Sequence, residues 1–138
     1  MSAAKMSLEA LREFFAREFP QSTVTIESAG DGRALVRQTI RHEHLRPGNT
    51  VSGPVMMATA DSAMYAALLA EIGPVALAVT TNLTINFLRK PQPGRDITGE
   101  CRLLKLGQRL AVGEVLIRSD GREDPVAHAT LTYSIPPR

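Results

Sequence analysis

Residues 52–74 read SGPVMMATADSAMYAALLAEIGP, and the reading of this stretch decides the fold. Ala, Leu and Met fill most of it, and all three are good helix formers. Gly53 is placed as the cap, Pro54 stands at the first helical position, and Gly73-Pro74 closes the run. The segment therefore predicts one helix of about nineteen residues. Its apolar side chains fall on nearly every side, the pattern of a helix surrounded by protein rather than lying on a surface. One acid, Asp61, stands in the middle, with Met57, Ala58, Met64 and Tyr65 three and four positions away. An ionised carboxylate in that company is costly unless it is paired or wetted. Asp61 is thus the first candidate functional residue.

The chain of 138 residues suits one domain over 1–138 with a single sizeable core. Hydrophobic residues make up 43% and charged residues 22%, as in soluble globular proteins. A net charge of only +2, with no basic block, argues against nucleic acid as a partner. The lone cysteine, Cys101, allows neither an internal disulfide nor a zinc cluster. No basic-then-apolar leader is present, and Asp61 and Ser62 make the central helix too mixed for a membrane span. The expectation is a cytoplasmic protein that does not engage membranes.

Outward from the helix, residues 1–6 read as a loose tail. Leu8, Leu11, Phe14 and Phe15 keep a helical period after Ser7, in a helix that ends before Pro20. Residues 23–28 and 33–40 alternate around Gly30-Asp31-Gly32, a hairpin pattern, and 42–51 is a polar loop. Beyond Pro74, residues 75–88 are rich in β-branched side chains and read as one long strand. Lys90-Pro91-Gln92-Pro93-Gly94 makes a turn, and three more strands follow over 96–106, 109–118 and 126–134. Helix, two strands, buried helix and four strands make an α+β arrangement, most simply with the antiparallel sheet wrapped around the long central helix.

This order resembles the hotdog fold, and the residues are similar to those of the phenylacetate-pathway (PaaI-like) acyl-CoA thioesterases. In that family a loop with Asn and a His-Gly-Gly run opens the central helix, and an Asp or Glu follows within it. Here the run is Ser52-Gly53-Pro54, and Asp61 stands eight residues after Gly53. Thr80-Thr81-Asn82-Leu83-Thr84-Ile85-Asn86-Phe87-Leu88-Arg89 looks like the family's strand after the helix, and Gly107-Gln108-Arg109-Leu110 and Ala127-His128-Ala129-Thr130-Leu131-Thr132-Tyr133 also match its pattern. The resemblance spans roughly residues 23–134. Two positions depart from it: Ser52 replaces the His, and Pro54 replaces the second Gly and has no N–H to donate. The family Asn falls near Arg46 rather than at Asn49.

Thioester hydrolysis needs a base or nucleophile, and a donor aimed at the carbonyl oxygen as it becomes negative. Asp61 can supply the first. The Gly53 amide, at a helix N-terminus, can supply the second. Eight helical residues span about 12 Å, whereas a reacting carbonyl needs both groups within about 3 Å. One chain cannot bring Gly53 and Asp61 to the same carbonyl, but a two-fold dimer with antiparallel helices can, twice. The family's shared sites are built this way, which implies a homodimer that can pair further into a homotetramer. A non-hydrolysing acyl-CoA-binding protein of the same fold is the alternative, favoured by the loss of the family His.

Other candidates surround this pair. The resemblance puts the family's water-orienting Ser or Thr at about Thr80, although strand filling explains that residue equally well. Ser52 and Asn49 could bond substrate in place of the missing His and Asn, or merely cap the loop. Arg46 occupies the family Asn position. Arg89, Lys90, Lys105 and Arg109 could grip the phosphates of coenzyme A, which is part of the substrate; no separate cofactor is expected. Met56, Met57, Met64 and Tyr65 could lie along an acyl or aryl group, or simply fill the core. His42 and His44, two apart at a strand end, could share a face toward a metal. No third ligand is evident and no metal is expected. His128 and Cys101 read as structural strand residues.

Overall fold

The computed structural model describes residues 5–137. Helix α1 spans Leu8–Glu18, followed by β1 (Val24–Gly30) and β2 (Arg33–Gln38). A short 3-10 turn over His42–His44 leads into β3 (Leu45–Arg46) and β4 (Thr50–Val51), two-residue strands that pair only with each other. Helix α2 runs from Gly53 to Ile72. It is followed by β5 (Val79–Phe87), β6 (Ile97–Leu106), β7 (Leu110–Ser119) and β8 (Pro125–Ser134). One six-stranded sheet has the order β1-β2-β6-β7-β8-β5 with antiparallel pairing throughout. It wraps around α2, as the hotdog reading requires.

Local chemistry explains the ends of the elements. Ser7 caps α1 by accepting from the Ala10 amide at 3.1 Å. Ser52, not Gly53, caps α2: its hydroxyl accepts from Val55 N–H at 3.4 Å, and Gly53 and Pro54 are the first two helical residues. A side-chain oxygen can hold a first-turn amide where glycine offers none. Residues 75–78 are not strand, contrary to the sequence reading. Gly73 ends the helix with φ near 91°, Ala78 N–H bonds to Val75 C=O, and this turn is consumed in bringing the chain back to the sheet. The expected tail is shorter than 1–6. Met6 N–H donates to Ala70 C=O at 3.1 Å, and Lys5 pairs with Glu71 at 3.4 Å. Residues 1–4 lie outside the described residues.

The core lies between α2 and the concave face of the sheet. Buried residues alternate along β7 (Ala111, Gly113, Val115, Ile117) and β8 (Ala127, Ala129, Leu131, Tyr133). They meet Met56, Ala60, Ala63, Met64, Ala67 and Leu68 of α2. By length and mean hydropathy α2 would qualify as a membrane span, against the expectation that it is too mixed, but 67% of that window is buried within the protein. Two glycines set the depth of its seating. A Cβ on Gly99 would stand 3.3 Å from Thr59 and Ile117, and a Cβ on Gly113 would stand 2.5 Å from Met64 Sδ. The same sulfur accepts from Cys101 Sγ at 3.9 Å.

Burial pushes the Cys101 thiol up to about 12. Native protein at pH 8 is therefore expected to leave Cys101 unreacted with a thiol reagent, with one equivalent appearing on denaturation; ready labelling of the native state would contradict this seating. Gly113→Ala should destabilise the fold by about 1–3 kcal/mol, the usual cost of overpacking a core, as read from denaturant titration.

Candidate functional site

Most of α2 is enclosed, but Pro54, Met57 and Ala58 are exposed, and Gly53, Asp61 and Ser62 are partly so. This strip continues onto β5, the last strand of the sheet. Asp61 is therefore not an acid sealed among apolar neighbours, as the sequence suggested. Of its four helical neighbours Met64 and Tyr65 are buried, whereas Met57 and Ala58 are exposed on the same strip along which the carboxylate looks out. The carboxylate takes two hydroxyl donors on one oxygen: Thr80 Oγ1 at 2.6 Å and Tyr133 Oη at 2.8 Å from Oδ1.

Sheet register explains why these three meet. Thr80 and Tyr133 are direct partners across β5 and β8. The extra residue Thr81 makes a bulge between Thr80 and Asn82, the kind of irregularity that re-aims a side chain. Tyr133 belongs to the inward-facing set of β8 and is 2% exposed. Burial, and then the charge of Asp61, push its phenol above the usual range, so it stays protonated. Sequence reading singled out Asp61 and Thr80 and missed Tyr133. Its traces were a buried-phase position in the last strand and its place at the end of the family-like run over residues 127–133.

A cavity of about 360 Å³ opens beside Asp61. Its apolar wall is aromatic: Phe15 and Phe19 from α1 and its end, Tyr65 from α2, and Tyr133. Tyr65 stands edge-on to Phe15 and Phe19, with ring centroids 5.7 and 5.6 Å away. Its hydroxyl donates to Ala76 C=O at 3.1 Å. Met64 is fully buried against the sheet and leaves the acyl-binding set, because at its helical position the side chain points at Gly113 and Cys101. Met56 is buried as well, and Met57 is exposed on the strip rather than in the cavity.

Gly53 lies in a second groove, of about 380 Å³, at the other end of the strip. Phe87 covers it so closely that a Cβ on Gly53 would stand 3.2 Å from the ring. Arg46, Arg89 and Lys90 line this groove together. As a first-turn residue, Gly53 carries an amide with no intrahelical acceptor, and Ser52 is held by capping. Asn49 does not join them. It adopts φ near 59° in the Gly48 turn and faces a different hollow, between Ile40 and Arg95. Lys105 and Arg109 flank the β6–β7 turn. The register Ala111–Tyr133–Thr80 places that turn at the Asp61 end of the sheet, away from Arg89 and Lys90.

The remaining candidates fall away from the strip. His42 and His44 sit on the 3-10 turn, not a strand end, and His44 Nδ1 accepts from Arg41 N–H at 2.8 Å. No group of three or more potential metal ligands occurs among the described residues. His128 Nε2 lies 3.1 Å from Glu114 Oε1 on the outer face. His128 and Arg102 hold the Glu114 carboxyl below its usual range.

Comparison with known proteins gives this geometry a family. The thioesterase superfamily profile matches residues 48–126, more than half of the chain. A candidate thioesterase of Silicibacter sp. TM1040 is 46% identical, covers 99% of both chains and superposes with a TM-score of 0.89. The phenylacetic acid degradation protein PaaI of Thermus thermophilus is 24% identical over 85% of this chain and 96% of its own, with a TM-score of 0.72. A hypothetical thioesterase of Streptococcus pneumoniae TIGR4, solved with coenzyme A, is 20% identical over 94% of this chain and 98% of its own, with a TM-score of 0.77. These last two likenesses speak for the fold. No curated protein matches the chain. With its helix-wrapping sheet, its matched profile and its 46% identical relative, the chain belongs to the thioesterase superfamily of hotdog proteins.

Proposed function

We propose that the protein hydrolyses acyl-CoA thioesters as a two-fold dimer, each site combining Asp61 of one protomer with the Gly53 amide of the other. The observation that carries this reading is the division of the strip: Asp61 and Gly53 line separate cavities that share no residue. Each half lacks what the other has. The Asp61 cavity holds a carboxylate and an apolar chamber, while the Gly53 groove holds an unsatisfied amide and three basic side chains.

Strand β5 supports a second copy of the chain as the missing half. It ends the sheet and carries no charge and no proline over nine residues, so its free backbone groups form an unguarded template. Val79 (54% exposed) and Phe87 (50%) lie along it, and Met57 (38%) lies on the adjacent helix strip. The opposite edge is protected: α1 packs against β1, and the Ile26 carbonyl accepts from Arg12 Nε at 2.8 Å. Antiparallel pairing of two β5 strands sets the Asp61 end of each protomer against the Gly53 end of its partner.

In such a site the acyl group lies in the aromatic cavity beside Asp61. Arg46, Arg89 and Lys90 of the Gly53 groove, joined by the partner protomer's copies of Lys105 and Arg109, meet the phosphates of coenzyme A. Asp61 activates water or attacks the carbonyl itself. The oxyanion forms against the Gly53 amide, where the helix dipole favours negative charge. On the general-base route the proton that Asp61 takes from water passes to the departing thiolate, and the carboxylic acid remains. On the nucleophilic route the thiolate departs, leaving a mixed anhydride with Asp61 that water then hydrolyses to the acid. Pro54 offers no second amide and Ser52 no imidazole. Binding of acyl-CoA without hydrolysis is the second reading, and these two positions favour it.

Thiol release from short-chain, long-chain and aryl acyl-CoA esters tests the proposal. Asp61→Asn should lower kcat/KM by about 100-fold or more, the range for loss of a positioned base, with the fold intact; binding without turnover on every ester would select the second reading. Mixing inactive Gly53→Pro and Asp61→Asn chains should restore about a quarter of wild-type activity, because half of the dimers in a random reassortment carry one complete site. A mixture that stays inactive while both variants fold and dimerise would overturn the shared site.

A further inference from the structure

We propose that Tyr133 is a positioning residue for Asp61: with Thr80 it occupies one carboxylate oxygen and leaves the other as the only one free to meet substrate or water. The inference rests on the reading of Asp61 as base or nucleophile. It concerns which oxygen acts and what holds it.

The geometry begins with the two short bonds to Oδ1, at 2.6 and 2.8 Å. The 2.6 Å bond has the length of a charge-assisted hydroxyl bond, and the 2.8 Å bond that of an ordinary one. One carboxylate oxygen has about two lone-pair sites, so a pair of donors fills it. Among the described residues no side chain donates to Oδ2. Rotating the carboxylate to exchange its oxygens would break both bonds, and the Asp61 side chain is thereby held in one orientation. The Tyr133 hydroxyl also lies 3.4 Å from the Asp61 main-chain carbonyl, which keeps it against this one residue.

Tyr133 is itself immobilised. It is buried, its ring centroid stands 6.1 Å from that of Tyr65, and its strand is paired on both sides, by β5 and by β7. Its raised phenol ionisation makes it a standing donor rather than a source of protons. Thr80, having spent its single proton on Oδ1, retains lone pairs that can accept from a water molecule. If Tyr133 were only filling the core, phenylalanine would serve equally, since the ring makes the same contacts and the hydroxyl alone reaches Asp61.

The test removes hydroxyls one at a time in the full-length protein, using the ester turned over fastest. Tyr133→Phe should lower kcat about 10-fold, as loss of a hydrogen bond to a charged group predicts, with KM and Tm close to wild type. Thr80→Val should behave alike, and Thr80→Ser, which keeps the donor, should recover most of that loss. In an Asp61→Asn background Tyr133→Phe should change kcat no further, since both act through one group. Unchanged kcat in Tyr133→Phe, or an equal loss with and without Asp61, overturns the proposal while leaving Asp61 in its role. Full activity of Asp61→Asn overturns both. A readout independent of turnover is the exchange-protected Tyr133 hydroxyl proton in the NMR spectrum. It should vanish in Tyr133→Phe and in Asp61→Ala, and its persistence in Asp61→Ala would also overturn the assignment.

Discussion

The closeness of α2 to the sheet is the constraint on which the rest of the structure depends. A helix can approach a sheet only as far as the side chains between them permit, and at Gly99 and Gly113 the sheet offers none. Thr59 and Met64 fill those positions from the helix side. Alanines at 60, 63, 66, 67 and 70 keep the rest of the contact thin. Close packing of this kind transmits small volume changes, so the depth of the helix fixes where its exposed strip emerges. The strip carries both Gly53 and Asp61.

From that seating follows an asymmetry between the two edges of the sheet. Edge β1 is contacted by α1 and held by Arg12; edge β5, bulged only at Thr81, is uncharged and apolar at both ends. Natural sheets guard their edges unless an edge is used. The same unguarded strand bears Thr80 at one end and Phe87 at the other, beside Asp61 and Gly53 respectively. Edge and site are thus one feature of the chain.

The cavity beside Asp61 shows how one wall can come from a distant part of the chain. Helix α1 lies more than forty residues upstream of Asp61, yet Phe15 and Phe19 face Tyr65 across the opening. Three of the four rings are anchored in the core, and Phe19 alone is substantially exposed. Such a chamber admits an apolar group and holds the single charge, Asp61, at its rim.

The order of elements, the wrapped helix and the prominence of Asp61 were legible in the sequence, because hydrophobic period and glycine-proline punctuation are local. The resemblance to the thioesterases rested on short motifs around Gly53, Asp61 and Thr80, and it named the family that the comparisons support. What lay beyond the sequence were contacts between segments far apart along the chain. Tyr133 reaches Asp61 across 72 residues by virtue of strand register and one bulge. Met64 and Tyr65 are adjacent in sequence, but the helix turns one into the core and the other toward a cavity. Asn49 and Arg46 sit three residues apart, and a left-handed turn sends them to different hollows. Periodicity records which residues share a face of one element. Only tertiary packing decides which faces meet, because register, bulges and turns sum over the whole chain before any side chain finds its partner.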